Sequence, residues 1–189
     1  MTELPKLPFA AAEGWEDWLR EHHADAPGVW VKFAKKASGL PTVSFGEALD
    51  VALCYGWIDG QSRSLDETWY LQKFTPRAKR STWSKRNRDK VAELIAAGRM
   101  QPAGLREIER AQADGRWDAA YDSPSTATVP DDLRRELDRD PKAAAFFETL
   151  NSQNRYAILH RIQTAKKPET RARRIEKFVA MLRAGETLY

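Results

Sequence analysis

Cysteine is nearly missing from this chain: Cys54 is the only one in 189 residues. An intrachain disulfide is therefore impossible, and a cysteine-based zinc site is excluded in practice. Histidine is scarce as well. His22, His23 and His160 are too few and too scattered to suggest a metal centre, and no motif asks for a cofactor. Long apolar runs are also absent; no window approaches the roughly 18 consecutive apolar residues of a membrane helix. The opening "MTELPKLPFAAAEGWEDW" has no basic leader followed by an apolar core, so the expectation is a cytoplasmic protein. Catalytic signatures are missing at recognisable spacing. There is no phosphate loop of the G-x-x-x-x-G-K type, no G-x-S-x-G elbow and no H-E-x-x-H.

What is present is the composition of a folded protein: 42% apolar and 31% charged residues. The formal net charge of +4 conceals a segregation. Residues 1–72 carry 6 basic and 11 acidic side chains, and residues 73–90 carry 8 and 1. Residues 91–150 carry 8 and 12, and residues 151–189 carry 9 and 3. Two basic blocks thus alternate with acidic ones. Either they meet in space as an anion-attracting surface, or they face their acidic neighbours and are neutralised.

Periodicity supplies the elements. Trp15, Trp18, Leu19 and His22 share one helical face within residues 9–24. In "VWVKFAKK", Val29, Val31 and Phe33 alternate with Trp30, Lys32 and Ala34, the pattern of a half-buried strand. "SFGEALDVALCYG" is a helix with a capping box at Ser44 and Glu47 and a stop at Gly56. "WIDGQSRS" and "TWYLQKFT" read as two strands joined by "LDE". A small antiparallel sheet of about three strands, packed by helices, follows from these runs. Further helices are expected over 84–97, from Pro102 to Gly115, over 131–138, and from Pro141, Ser152 and Pro168 onward. The fold class is α+β, with an α+β region over 1–118, a linker over 119–130 and an all-helical region over 131–189.

Three stretches carry the functional candidates, each with a plain structural reading beside it. In "GWIDG", Trp57 and Asp59 form a ligand cradle only if both are exposed; otherwise Trp57 plugs the corner between helix and sheet, and Asp59 bonds local backbone or pairs with Arg63 or Arg77. In "KFTPRAKRSTWSKRNRDK", Arg77, Lys79, Arg80 and Ser81 lead into a helix N-terminus that favours an anion. Phe74 and Trp83, interleaved with these cations, could stack a base, and Trp57, Trp69 and Trp83 are the tryptophans expected to supply stacking or shape. In "TAKKPETRARRIEKF", Arg171 and Arg174 share a helix side, either as a solvated face or as a phosphate grip. Cys54, inside "VALCYG", reads as a buried structural thiol.

Several of these strings resemble a known family. "EALDVALCYGWIDG", "FTPR", "STWSKRN", "GRMQPAG", "GRWDAAYD" and "NRYAILHRIQTAKKPETRARRIEKFVAMLRAG" look like the YdeI/OmpD-associated, bacteriocin-protection family, over about residues 9–186. The resemblance implies a bacterial protein connected with bacteriocin or stress tolerance and with an outer-membrane porin. It brings no catalytic residues. The expectation is a non-enzymatic protein binding an anionic ligand, a nucleic acid or a protein partner. The alternatives are an enzyme acting on a small phosphorylated or carboxylated substrate at Trp57, Asp59 and Arg77, or a protein-interaction module.

Overall fold

The computed structural model describes residues 3–189. The chain divides into two compact units: residues up to Trp83 with Asn87–Asp118, and Ser84–Arg86 with Ala119–Tyr189. No helix among the described residues is long and apolar enough to cross a membrane.

The first unit is a sheet with helices on it. Its elements are β1 (Lys6–Pro8), α1 (Ala12–His22), β2 (Val29–Ala34), α2 (Phe45–Cys54), β3 (Trp57–Ser64) and β4 (Trp69–Pro76). Most of α3 (Lys85–Ala96) and all of α4 (Pro102–Ala113) follow. The sheet has four strands in the order β1-β2-β4-β3, not three. The added strand is β1, which runs parallel to β2, so the sheet is mixed rather than purely antiparallel. It is three residues long and bounded by Pro5 and Pro8, a composition that argues against a strand except at an edge, which is where it lies.

Local signals place the rest. Ser44 and Glu47 form the reciprocal capping box at the start of α2. Gly56 ends that helix at φ +75°. A Cβ there would stand 2.9 Å from the Ala103 carbonyl oxygen, so glycine is required twice over. The turn between β3 and β4 is held by the Asp66 carboxylate, which accepts from the backbone N–H groups of Thr68 and Trp69 at 2.8 and 2.7 Å.

The core of this unit lies between the sheet and α1–α2. Trp15 is fully buried, donates its indole N–H to the Ala48 carbonyl at 3.0 Å and lies against Phe74. Trp18 stacks on Trp15, and Trp57 meets both edge-on. The indole N–H groups of Trp15 and Trp57 find backbone acceptors while their rings exclude water, the arrangement a buried tryptophan needs. Against α2, α4 approaches very closely. A Cβ on Gly104 would come within 2.3 Å of the Cys54 carbonyl oxygen.

The second unit is helical: α5 (Asp131–Asp138), α6 (Pro141–Thr149), α7 (Ser152–Gln163) and α8 (Pro168–Arg183). Leu133, Phe147, Ile158, Ile162, Phe178 and Leu182 are the centre of its core. Asn151 and Asp140 cap α7 and α6 through their side chains. Ser84 forms an isolated parallel bridge with Tyr121, and Lys85 pairs with Asp122 at 2.6 Å.

Candidate functional site: a basic and aromatic sheet face

Register decides which strand residues share a surface, because directly opposed residues of antiparallel strands point the same way. Val29 faces Phe74, Val31 faces Gln72 and Phe33 faces Tyr70. This is the side covered by the helices: Phe74 touches Trp15 of α1 and Phe33 touches Phe45 of α2. The other parity pairs Trp30 with Lys73, Lys32 with Leu71 and Ala34 with Trp69. From β3, Arg63 stands opposite Leu71 on the same side.

That second face is built from cations laid on indoles. The Arg63 guanidinium sits 4.2 Å from the Trp30 ring centroid, and the Lys32 ammonium 5.1 Å from that of Trp69. Leu71, wholly buried, is the floor beneath these long side chains. Arg63 is exposed, Trp69, Lys32 and Lys73 are half-buried, and Trp30 is buried beneath Arg63, so the guanidinium is the flat surface presented there. No outward strand position of β2, β3 or β4 in this set carries a carboxylate. At the margin, Glu3 pairs with Lys6 at 2.6 Å. Its carboxyl is held below the usual range by that Lys6 hydrogen bond first, with Lys6 and Arg63 charge adding to it. The register shift between Asp59 and Ser62 is satisfied from β4, where the Gln72 side chain donates to the Gly60 carbonyl at 2.8 Å.

The residues singled out in the sequence distribute unevenly. Arg63 and Trp69 belong to this face. Trp57 does not: it is 1% exposed, with its indole N–H donated to the His23 carbonyl, so the cradle of jointly exposed Trp57 and Asp59 is not formed. Asp59 is half-buried opposite Phe74, on the helix-covered side. Trp83 is 2% exposed, packed edge-on against Trp117 and beneath Arg77, whose guanidinium lies 3.6 Å from the Trp83 centroid. Trp57 and Trp83 are thus core residues, and neither offers a ring to a ligand. Arg77 is 5% exposed and donates to the Thr82 carbonyl.

The loop after β4 is held by arginines from α4 and the turn that follows it. Arg110 donates to the carbonyls of Arg77 and Ala78, and Arg116 to that of Ser81 at 2.8 Å. Arg116 is itself paired with Asp114. The Ser81 hydroxyl closes the turn by accepting from the Ala78 N–H. Lys79 and Arg80 remain exposed on that loop. In the second unit, Arg171 grips Asp132 with two hydrogen bonds of 2.5 and 2.9 Å, and Arg174 donates to the Arg161 carbonyl. Cys54 is buried, and burial pushes its thiol up to about 11, as befits an inert structural cysteine.

Sequence reasoning missed Trp30, Lys32 and Lys73. The signal for them lies in the alternation of "VWVKF" and "TWYLQKF": the off-core parity of both strands carries a tryptophan and a lysine.

Fold and site together define a two-unit α+β and helical protein with a cation-and-indole surface on its sheet. Comparison with known families divides the chain in a similar way. Residues 7–107, just over half of it, match a family described as a domain of unknown function (DUF8412), and the chain belongs to that family. Residues 126–185 match the family described as "Bacteriocin-protection, YdeI or OmpD-Associated", the family the sequence resembles. That match covers the helical C-terminal part, whereas the resemblance extends over nearly the whole chain. No curated protein and no solved structure matches the chain.

Proposed function

We propose that the protein is a non-catalytic binding protein whose sheet face takes single-stranded nucleic acid. The observation that carries this reading is the pairing of Arg63 with Trp30 and of Lys32 with Trp69, on a strand surface bearing no carboxylate at its outward positions. Bases stack on flat aromatic or guanidinium surfaces, and cations spaced among them follow the phosphates. A sheet supplies such groups at fixed spacing without ordering a loop on binding, so less conformational entropy is lost. A cytoplasmic location, a part in stress tolerance, and the bacteriocin protection that the matched family's description names belong to the same proposal.

The test is fluorescence anisotropy with a labelled oligouridylate at several salt concentrations. Wild-type protein is expected to bind at low salt and to weaken as salt rises. Arg63→Ala should weaken binding and lower the salt slope by about one phosphate equivalent. Trp69→Ala should cost about 1–3 kcal/mol while leaving the slope in place. Absence of binding at low salt, or full binding by both variants, refutes the proposal. Binding confined to duplex DNA refutes the single-strand assignment.

A further inference from the structure

The arginine-rich helix α8 treats two of its arginines, three residues apart, in opposite ways. Arg171 is neutralised by Asp132. Arg174 donates to the Arg161 carbonyl and forms no ion pair among the described residues; nor does Arg161. Arg161 donates to the Ala157 carbonyl and to the Tyr189 hydroxyl, the latter at 3.2 Å. Five N–H donors per guanidinium leave both side chains with capacity to spare.

These arginines line one depression of about 500 Å³ in the second unit, together with Tyr156, His160, Thr164 and Tyr189. No carboxylate side chain lines it. Tyr189 lies under Arg161, and Tyr156 packs against His160. His160 is half-buried, and its imidazole is held below its ordinary value by burial first, then by Arg161 and Arg174. The remaining ring against it is Tyr121, edge-on at 4.7 Å. Gathering two guanidinium groups beside an imidazole in a half-buried hollow disfavours added positive charge, and an anion relieves that repulsion. The volume is that of a small-ligand site.

We propose that this depression is a binding site for a small aromatic ligand bearing a phosphate or carboxylate group. Arg161 and Arg174 hold the oxyanion, and the rings of Tyr156, His160 and Tyr189 border the ligand's body. This site is independent of the sheet face and stands or falls separately from it.

Proton NMR of the imidazole resonances tests it in the whole chain, which has only three histidines. The probes are phenyl phosphate and benzoate, with sodium chloride at matched ionic strength as the control. The His160 resonance is expected to move saturably with one or both probes and to titrate at higher pH when the site is filled, while His22 and His23 stay in place. A response to phenyl phosphate alone assigns a phosphate ligand, and a response to benzoate alone a carboxylate. Arg174→Ala should weaken binding at least about tenfold, the loss of one charge-assisted hydrogen bond, and Lys79→Ala should leave it unchanged. Should Arg174→Ala not fold, the wild-type titration still decides. A His160 signal that responds to neither probe, or equally to chloride, overturns the site.

Discussion

Arg171 and Arg174 show how little a residue's type says about its task. Arg171 is a tie between α5 and α8; its second role is to donate to the Ile162 carbonyl near the end of α7. The guanidinium hydrogen bond holds the Asp132 carboxyl below the usual carboxylate range, and the Lys85 hydrogen bond does the same for Asp122. A lowered folded value means that the stabilisation is complete above the unfolded value near 4 and is lost as pH falls through the folded one. Urea unfolding is expected to show this loss below about pH 4, and Asp132→Asn should remove part of it. Arg171→Ala should destabilise the second unit by about 1–3 kcal/mol at neutral pH, by stripping a half-buried carboxylate of its hydrogen bonds. His160 works in the neighbouring range. Its folded value lies below 6.5, so the unfolded chain takes up its proton first and stability declines as pH falls from 6.5 toward the folded value. In His160→Gln that decline should be absent.

Helices are the legible elements, for physical reasons that act over a few residues. Ser44 with Glu47 starts α2, prolines start α4, α6 and α8, and Gly98, Gly115 and Gly185 close α3, α4 and α8 at positive φ. Strand β1 is not legible, because three residues that follow one proline and end in another carry no period and the strand exists only through pairing with β2. The sheet face is half legible. Each strand shows its alternation, but the register that brings Arg63 to Leu71 and Lys73 to Trp30 depends on contacts distant in sequence. Gly104 is unremarkable as a sequence letter. Its demand arises where α4 meets the end of α2: a side chain's Cβ would stand 2.3 and 2.8 Å from the Cys54 and Leu53 carbonyl oxygens. Gly104→Ala should therefore cost about 1–3 kcal/mol despite alanine's better helix propensity, seen as a lower denaturation midpoint. An unchanged midpoint would mean that the two helices separate freely.

Across the whole molecule, the charge segregation of the sequence is absorbed in part by ion pairs distant in sequence. In the block 73–90, Lys85 and Lys90 pair with Asp122 and Asp50, Arg77 is buried and Arg88 donates to the Trp117 carbonyl. In the block 151–189, Arg155, Arg171 and Arg183 pair with Glu148, Asp132 and Asp140. The neutralised reading of the basic blocks thus describes these five ion-paired residues of the 17 basic side chains there, and Lys79, Arg80, Arg161 and Arg174 lie outside it. The positive charge that matters for the proposed function comes instead from single residues of a net acidic segment: Lys32 and Arg63, with Lys73 just beyond it. Counting charge along the chain does not show this face, because a strand sorts alternate residues to opposite faces and a block count averages over both. The most direct measurement is residue-resolved backbone amide NMR during titration with a short oligouridylate. The account predicts shifts centred on Trp30, Lys32, Arg63, Trp69 and Lys73; shifts centred on the Lys79–Arg80 loop or on α8, with the sheet residues unmoved, would contradict it.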